Sequence, residues 1–417
     1  MEPWDCPFPS MNGDLRSAES TGGHADLRGS GWGLWSGNWS ACRRLEGRQG
    51  RWLLVDGNVT VEIWQSLGRA IDAIWKARKV ADGSPWAIGW LGYQACAQLG
   101  GDLPARSDSC SELDGMFLLE PQRQDSSVPL QSGHPCPDSM VYSSLNEESF
   151  KDEVRRIRAL IAAGSVYQVN LCRRFTVEQW EGGLRQLFET ASVGSASPDY
   201  LSGFSWGGSS SGELVCASME LLISRRGGFL ETRPIKGTRP RGKTVEDDLD
   251  MIRQLESDDK ERAELAMIVD LERNDLGRVA RTGSVAVDDP GLVRTWERIH
   301  HRVARVTAEV PEATPWWEVL AAMAPGGSVT GCPKEAAMAV IADMEPVVRG
   351  PFTGALGVIA GNGDMELALP IRTVWTSGDR LEMGAGCGIV WESDPEAEEA
   401  ESRLKVQKWL ELMGGKA

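Results

Sequence analysis

The chain reads as a mixed fold, with helices and strands interspersed along it, on three observations. Short strand-like runs recur from Arg51 to Gly388, the most apolar being Trp86-Ala87-Ile88-Gly89-Trp90-Leu91-Gly92-Tyr93. Amphipathic helical periodicity lies between them, clearest over 147–163, 258–271 and 394–412. No internal repeat is visible, and no apolar run approaches the ~18 residues that a membrane span needs. A length of 417 residues allows two or three domains or one large mixed fold.

Residues 1 to about 50 are rich in Gly, Ser and Arg, which predicts an irregular lead-in with short strands around Trp32 to Trp39. Arg51 to Ile63 alternates as strands do, and Trp64 to Val80 reads as a helix. The Ser-, Pro-, Asp- and Gln-rich stretch 102–140 predicts a long loop or linker. Glu147 to Ala163 is a helix stopped by Gly164, and Val166 to Leu171 a strand. A helix over 184–191 and strands over 201–225 follow, the latter interrupted by the flexible run 207–212. Pro234-Ile235 reads as a strand end leading into a turn at Gly237-Thr238, and Val245 to Leu255 as a helix. The helical run 258–271 is expected to end at Asn274-Asp275-Leu276-Gly277. Strands come next near 284–287 and within 293–310, which holds the adjacent His300 and His301. Then come a helix over 316–323, a glycine-rich turn over 325–334, and a helix over 335–344. Strands and turns fill 352–388, and a last helix spans 394–412.

Composition excludes several function classes. A formal charge of -16 argues against a nucleic-acid partner, whose phosphates need cations to neutralise them. Met1-Glu2-Pro3-Trp4-Asp5-Cys6 has neither the basic start nor the apolar core of a secretory leader. The nine cysteines are scattered without a CxxC pair, which fits reduced thiols and a cytoplasmic, organellar or stromal setting. The 17 tryptophans are read as packing residues.

Chemistry concentrates in a few places. Lys236 stands among Arg233, Arg239 and Arg241, and neighbouring cations disfavour an ammonium, so a nucleophilic or basic lysine is one reading and a solvated basic turn the other. Glu261 and Glu264 share a helix face, as do Glu398 and Glu401. Paired carboxylates without a His or Cys cluster suit a hard cation such as Mg2+, although acidic helix faces are more often simply solvated. Gly384-Ala385-Gly386-Cys387-Gly388 could converge its amides on an anion or form a tight turn. Lys405 lies one turn beyond Glu401. Arg372 in a strand-like run calls for a buried carboxylate partner or an edge position. Pro325 to Lys334 lacks the GxxxxGK[ST] spacing of a nucleotide loop, so nucleotide binding is rejected.

In this order the segments resemble the chorismate-utilising enzymes, the family of anthranilate, aminodeoxychorismate, isochorismate and salicylate synthases. The resemblance runs from about Tyr142 to Lys405. It rests on Tyr167-Gln168-Val169-Asn170-Leu171, Ser218-Met219-Glu220, Pro234-Ile235-Lys236-Gly237-Thr238, Met267 through Arg278, Gly326 through Lys334, Ile371-Arg372-Thr373, and Gly384 through Lys405. It implies an α+β architecture of two large packed antiparallel sheets flanked by helices, like anthranilate synthase component I. Residues 1–140 would be a less recognisable N-terminal portion of the same intertwined fold, and 141–417 the chorismate-binding catalytic region.

Gln168 stands where the water-using relatives carry a lysine, and Lys236 is the lysine of the aminodeoxychorismate synthases. The resemblance therefore implies amination of chorismate at C4, in the branch leading to p-aminobenzoate and folate. The alternatives are C2 amination, as by anthranilate or 2-amino-2-deoxyisochorismate synthase, and a catalytically silent chorismate-binding subunit. In the implied assignment Lys236 is the covalent nucleophile and Glu220 the acid for the departing hydroxyl, while Thr330 and His301 line the ring site. Mg2+ sits on Glu264 and Glu401 with Glu261 and Glu398 close by. Arg372, Lys405, Gln168 and the amides of Gly384, Ala385 and Gly386 face the substrate. Ammonia is expected from a separate glutamine amidotransferase subunit, with no membrane involvement. Val358 replaces a family aromatic expected to face the substrate's pyruvyl arm.

Overall fold

The computed structural model describes residues 23–28, 31–32, 36–48, 50–57, 59–100, 113–125, 130, 132–135, 140–192, 199–206, 212–296 and 299–412. Residues 1–22 of the lead-in expected over 1 to about 50, and 207–211 of the flexible run 207–212, lie outside the described residues; the described part of the lead-in is regular rather than irregular, with strands Gly23–Arg28, Gly37–Ala41 and Arg43–Arg48.

Two large antiparallel sheets form the body of the protein, as the resemblance implied. The first has ten strands, ordered Val141–Ser143, Gln168–Val177, Arg380–Ile389, Thr373–Ser377, Gly212–Ser218, Tyr200–Trp206, Gly23–Arg28, Gly37–Ala41 and Gln122–Gln124, with Gly331–Cys332 also paired to Gln168–Val177. The second has twelve, ordered Ile235–Pro240, Ile299–Glu309, Phe229–Arg233, Leu221–Arg226, Met365–Ala368, Ala355–Ala360, Pro85–Leu91, Leu113–Leu119, Arg43–Arg48, Arg51–Asp56 and Val59–Trp64, with Ala286–Thr295 also paired to Ile299–Glu309. Strands from the first 140 residues thus enter both sheets.

Facing sheets need apolar inner faces, and alternation supplies them. Ala25, Leu27, Phe204 and Leu214 of the first sheet meet Ile88, Trp90, Met116, Leu118 and Leu356 of the second in one buried cluster. The outer face of the second sheet is covered by the helices Leu67–Lys76, Asp259–Gly277 and Trp316–Met323, in a cluster containing Trp86, Leu265, Trp316 and Leu320. The outer face of the first is covered by Glu147–Ala162, Lys334–Met344 and Pro395–Leu412. No helix among the described residues is long and apolar enough to cross a membrane.

Local chemistry sets the helix ends. Asn146 accepts from the Ser149 amide at 2.9 Å, and Gly164 follows Glu147–Ala162 with φ 74°. Thr244 caps Val245–Ser257, and Asp258 caps Asp259–Gly277 by accepting from the Glu261 amide at 3.1 Å.

Four further expectations are corrected. The stretch 102–140 contains the buried strand Leu113–Leu119, because its apolar run Met116-Phe117-Leu118-Leu119 pairs on both edges despite polar flanks. The helix Asp259–Gly277 continues through Asn274 to Gly277, since Asp275 and Leu276 are buried against the sheet. The lysine segment is a strand, Ile235–Pro240, and the glycine run 384–388 lies inside the strand Arg380–Ile389.

At Gly89 a β-carbon would stand 1.9 Å from the Met116 carbonyl oxygen, in the sheet backbone where nothing flexible can yield. Gly89→Ala should destabilise the protein by about 3 kcal/mol, seen as a lowered melting temperature; unchanged melting would contradict the pairing of Pro85–Leu91 with Leu113–Leu119.

Candidate active site

The lysine strand pairs with Ile299–Glu309, and its register slips: Lys236 faces Arg302, yet Thr238 faces His301. Gly237 is the extra residue of this bulge, with φ 77°. Its carbonyl lies 3.1 Å from His301 Nδ1, with Thr238 Oγ1 2.9 Å from the same nitrogen. A carbonyl only accepts, so the proton is assigned to Nδ1 and the lone pair to Nε2. Burial first, then the Arg372 charge, lowers the His301 pKa to about 4, so the imidazole is neutral at physiological pH. His300 belongs to the scaffold: it is buried between Asp248, 2.9 Å away, and Thr295.

The cation crowding expected around Lys236 does not form. Arg233 pairs with Glu231, Arg239 with Asp258 at 2.7 Å, and Arg241 with Asp248 at 2.8 Å. Lys236 instead looks onto carboxylates, its charge acting on Glu220, Glu261, Glu264 and Glu401. A β-carbon at Gly388 would stand 3.3 Å from Lys236 Nζ and 2.6 Å from Gln168 Nε2, so the amine and the amide meet over this glycine. Gln168 is fully buried, and neither of its amide atoms has a hydrogen-bond partner among the described residues. Such a group is costly unless something else satisfies it.

Glu220 follows the strand Gly212–Ser218 and is 5% exposed. Its Oε1 accepts from Ser328 Oγ at 2.6 Å. Burial pushes its pKa up to about 7, opposed by the Ser328 bond and the Lys236 charge. Behind it the buried Glu272 accepts from Thr232 at 2.9 Å and is held well above the usual carboxylate range, by burial and then by Glu220. Thr330 is buried with its hydroxyl donating to the Gly326 carbonyl at 2.9 Å, while its own carbonyl accepts from the Asn170 amide at 2.7 Å. The loop is thereby strapped to the Gln168 strand. Ser328 lies inside the motif Gly326 through Lys334 but carries no role from sequence alone; its position two residues before Thr330 is the available signal.

The helix pairs of glutamates converge. Burial raises the pKa of Glu264, and the charges of Glu398 and Glu401 raise it further. Glu261 and Glu398 are raised too, by burial first and then by a neighbouring glutamate. Burial also pushes Glu401 up, but Lys405, 2.7 Å away, more than offsets it. Oxygen donors from two helices, crowded enough to resist ionisation together, fit a divalent cation. The Cys387 sulfur and a carboxylate oxygen from each of Glu398 and Glu401 lie within 4.8 Å of one another.

Arg372 has φ 50° and its guanidinium makes no hydrogen bond or ion pair among the described residues. It keeps contact with solvent, yet the cleft walls desolvate it and lower its pKa without discharging a guanidinium. The expected carboxylate partner is therefore absent among the described residues. Lys405 donates to the Gly386 carbonyl at 2.8 Å. The amide nest expected over Gly384, Ala385 and Gly386 is not formed, because these residues are extended and pair with Arg174, Arg173 and Cys172. Ala385 points into the core with Phe175 and Val374, and Gly384 packs on Phe352. Val358 is also corrected: it is fully buried between the sheets, away from the cleft.

Comparison with known proteins bears on the family and the fold. Residues 102–411 match the family model described as chorismate binding enzyme. The chain is 36% identical over 318 residues to aminodeoxychorismate synthase component 1 of Bacillus subtilis, covering 75% of this chain and 65% of that protein. It is 36% identical over 285 residues to anthranilate synthase component 1 of Neisseria meningitidis, covering 68% and 57%. The chain thus spans less than two thirds of the length of these relatives. The crystal structure of anthranilate synthase component I from Streptococcus pneumoniae superposes with a TM-score of 0.72 at 22% identity, over 97% of this chain and 95% of that one, a likeness of fold. With three quarters of its length inside the family match and the fold shared end to end, the chain belongs to the chorismate-binding enzymes.

Proposed function

We propose that this protein aminates chorismate at C4, as an aminodeoxychorismate synthase component 1, through a covalent intermediate on Lys236. The observation that carries the reading is the meeting of the Lys236 amine with the unpartnered Gln168 amide over Gly388, beside a glutamate held near neutrality. The Lys236 amine adds at C2, the two ring double bonds shift, and the C4–O bond breaks. The hydroxyl leaves as water with the proton of Glu220. Ammonia then adds at C4, the double bonds shift back, and the C2–N bond breaks to return the amine. Gln168 supports ammonia over water as the incoming group, because an amide is no base for water but its carbonyl accepts from an N–H.

Arg372, with no anion of its own, suits a substrate carboxylate. His301, neutral and proton-bearing on Nδ1, presents Nε2 as an acceptor, and Thr330 stiffens the loop that carries Ser328. Glu264 and Glu401, with Glu261 and Glu398, would hold Mg2+, which when bound neutralises the ring carboxylate of the substrate. Ammonia would come from a glutamine amidotransferase subunit, a partner consistent with the designation component 1 among the relatives. C2 amination is the second reading, favoured by the anthranilate synthase relatives of equal identity.

Purified protein with chorismate, Mg2+ and an ammonium salt should yield aminodeoxychorismate by mass spectrometry, converted to p-aminobenzoate by an added lyase. Fluorescent anthranilate as the sole product would reject C4 amination. Lys236→Ala should lower the C4 product about a thousandfold, and an unchanged C4 rate in that variant would sink the covalent step.

A general acid must be protonated, so kcat/KM should fall as pH rises through about 7, the value to which Glu220 is pushed. The Ser328 bond favours the carboxylate form, so Ser328→Ala should move this limb to higher pH; a limb that stays put would mean that another group titrates. Gly388→Ala should fold, since the added carbon meets only side-chain ends, yet lose about a hundredfold in activity by displacing Lys236 and Gln168. Wild-type turnover by a folded Gly388→Ala protein would contradict the placement of the amine.

A further inference from the structure

Cys387 is fully buried in the strand Arg380–Ile389, at the base of the helix that carries Glu398 and Glu401. Its thiol donates to the Glu398 carbonyl at 3.3 Å and lies 3.9 Å from Lys405 Nζ. Its sulfur and a carboxylate oxygen of each glutamate lie within 4.8 Å of one another. Neither the proposed amination nor an oxygen-liganded Mg2+ uses this sulfur, since hard cations ignore thiols.

A thiophilic ion sees the same place differently. Zn2+ binds sulfur at about 2.3 Å and carboxylate oxygen at about 2.0–2.2 Å, so donors around one ion lie within about 4.5 Å of one another. The three donors already stand within 4.8 Å of one another, close to that spacing. Two carboxylates and a thiolate bring three negative charges, which a divalent cation and the Lys405 ammonium balance.

We propose that the Glu398–Glu401 site also takes a soft divalent cation, Zn2+ or Cd2+, with Cys387 as its third protein ligand and in competition with Mg2+. The inference rests on the metal reading of these glutamates. On binding, the S–H bond breaks, its proton passes to the buffer, and a sulfur–metal bond forms with no change of oxidation state. Lys405 gives up Glu401 and remains beside the sulfur. The consequence is a binding site whose metal selectivity is set by one buried thiol: the ion that supports catalysis binds through oxygen alone, and traces of a softer ion displace it.

The test is a Cd2+ titration of the full chain, read by the ultraviolet sulfur-to-cadmium charge-transfer band, with Mg2+ binding measured by calorimetry on the same samples. A Cys387-dependent band should saturate at one equivalent and be reversed by excess Mg2+. Cys387→Ser, and Cys387→Ala as a second variant, should lose this band and weaken Cd2+ about tenfold or more while leaving Mg2+ affinity within about threefold. Retained Mg2+ binding also reports that each variant is folded. A band unchanged by both substitutions, as from Cd2+ on the exposed Cys42, overturns the proposal, and so does a band that Mg2+ does not displace. Mg2+ binding without a Cys387-dependent band rejects this inference alone, whereas absence of Mg2+ binding to the wild-type protein rejects the carboxylate site itself.

Discussion

The site depends on one backbone irregularity, the bulge at Gly237. A regular ladder would alternate side chains along the lysine strand without interruption. The inserted residue resets the phase between Lys236 and Thr238, turns a carbonyl onto His301, and leaves room for the helix beside it. A β-carbon at this position would stand 3.1 Å from Glu261 Oε2 and 2.9 Å from Leu255, so the carboxylate helix approaches this closely only because the position has no side chain. With φ at 77°, the conformation also favours glycine. One small residue thus sets the histidine tautomer and the spacing between lysine and glutamates.

Electrostatics holds the arrangement in tension. Asp258 caps the Glu261 helix through its first turn and also binds Arg239 of the lysine strand, so one carboxylate fixes the helix start and the strand together. Neighbouring arginines are likewise occupied by Glu231 and Asp248, which keeps their charge off the cleft. What remains facing the cleft is deliberately unequal: glutamates that resist joint ionisation, a lysine, and an arginine with no anion. Desolvation makes each of these groups respond strongly to any charge brought among them.

Much of this was legible in the sequence, and the failures have physical causes. Most helices were read within a few residues because their periodicity and caps are local, as with Asn146 and Gly164, but Tyr93–Gly100 was missed. The two-sheet architecture and the grouping of Lys236, Glu220, Glu264 and Glu401 came from motif order; spacing alone left them as solvated charges. The turn assigned at Gly237-Thr238 failed because a glycine bulge within a strand and a glycine turn look alike in sequence. The run Gly384 to Gly388 failed for a similar reason: its glycines serve close packing on Phe352, Cys172 and Gln168, in an extended strand. Arginine crowding failed because the neutralising partners, Glu231, Asp248 and Asp258, meet their arginines only through the fold. Leu113–Leu119 was lost among polar flanks, though its burial makes it one of the central strands.

The weaving of early strands into both sheets bears on how the chain is made. Gly23–Arg28 pairs early with Gly37–Ala41 but gains its other neighbour only when Tyr200–Trp206 has left the ribosome, and Pro85–Leu91, paired early with Leu113–Leu119, keeps one edge open until Ala355–Ala360. Such distant pairings are slow to find, and unpaired strands are sticky while they wait. Early sheet fragments should therefore keep open edges until synthesis is close to finished, and chaperones that shield strand edges should matter most over that interval. The same interlacing offers an opportunity, because a polypeptide severed at a surface loop would keep its halves threaded through common sheets, and two separately expressed fragments should assemble into one working molecule.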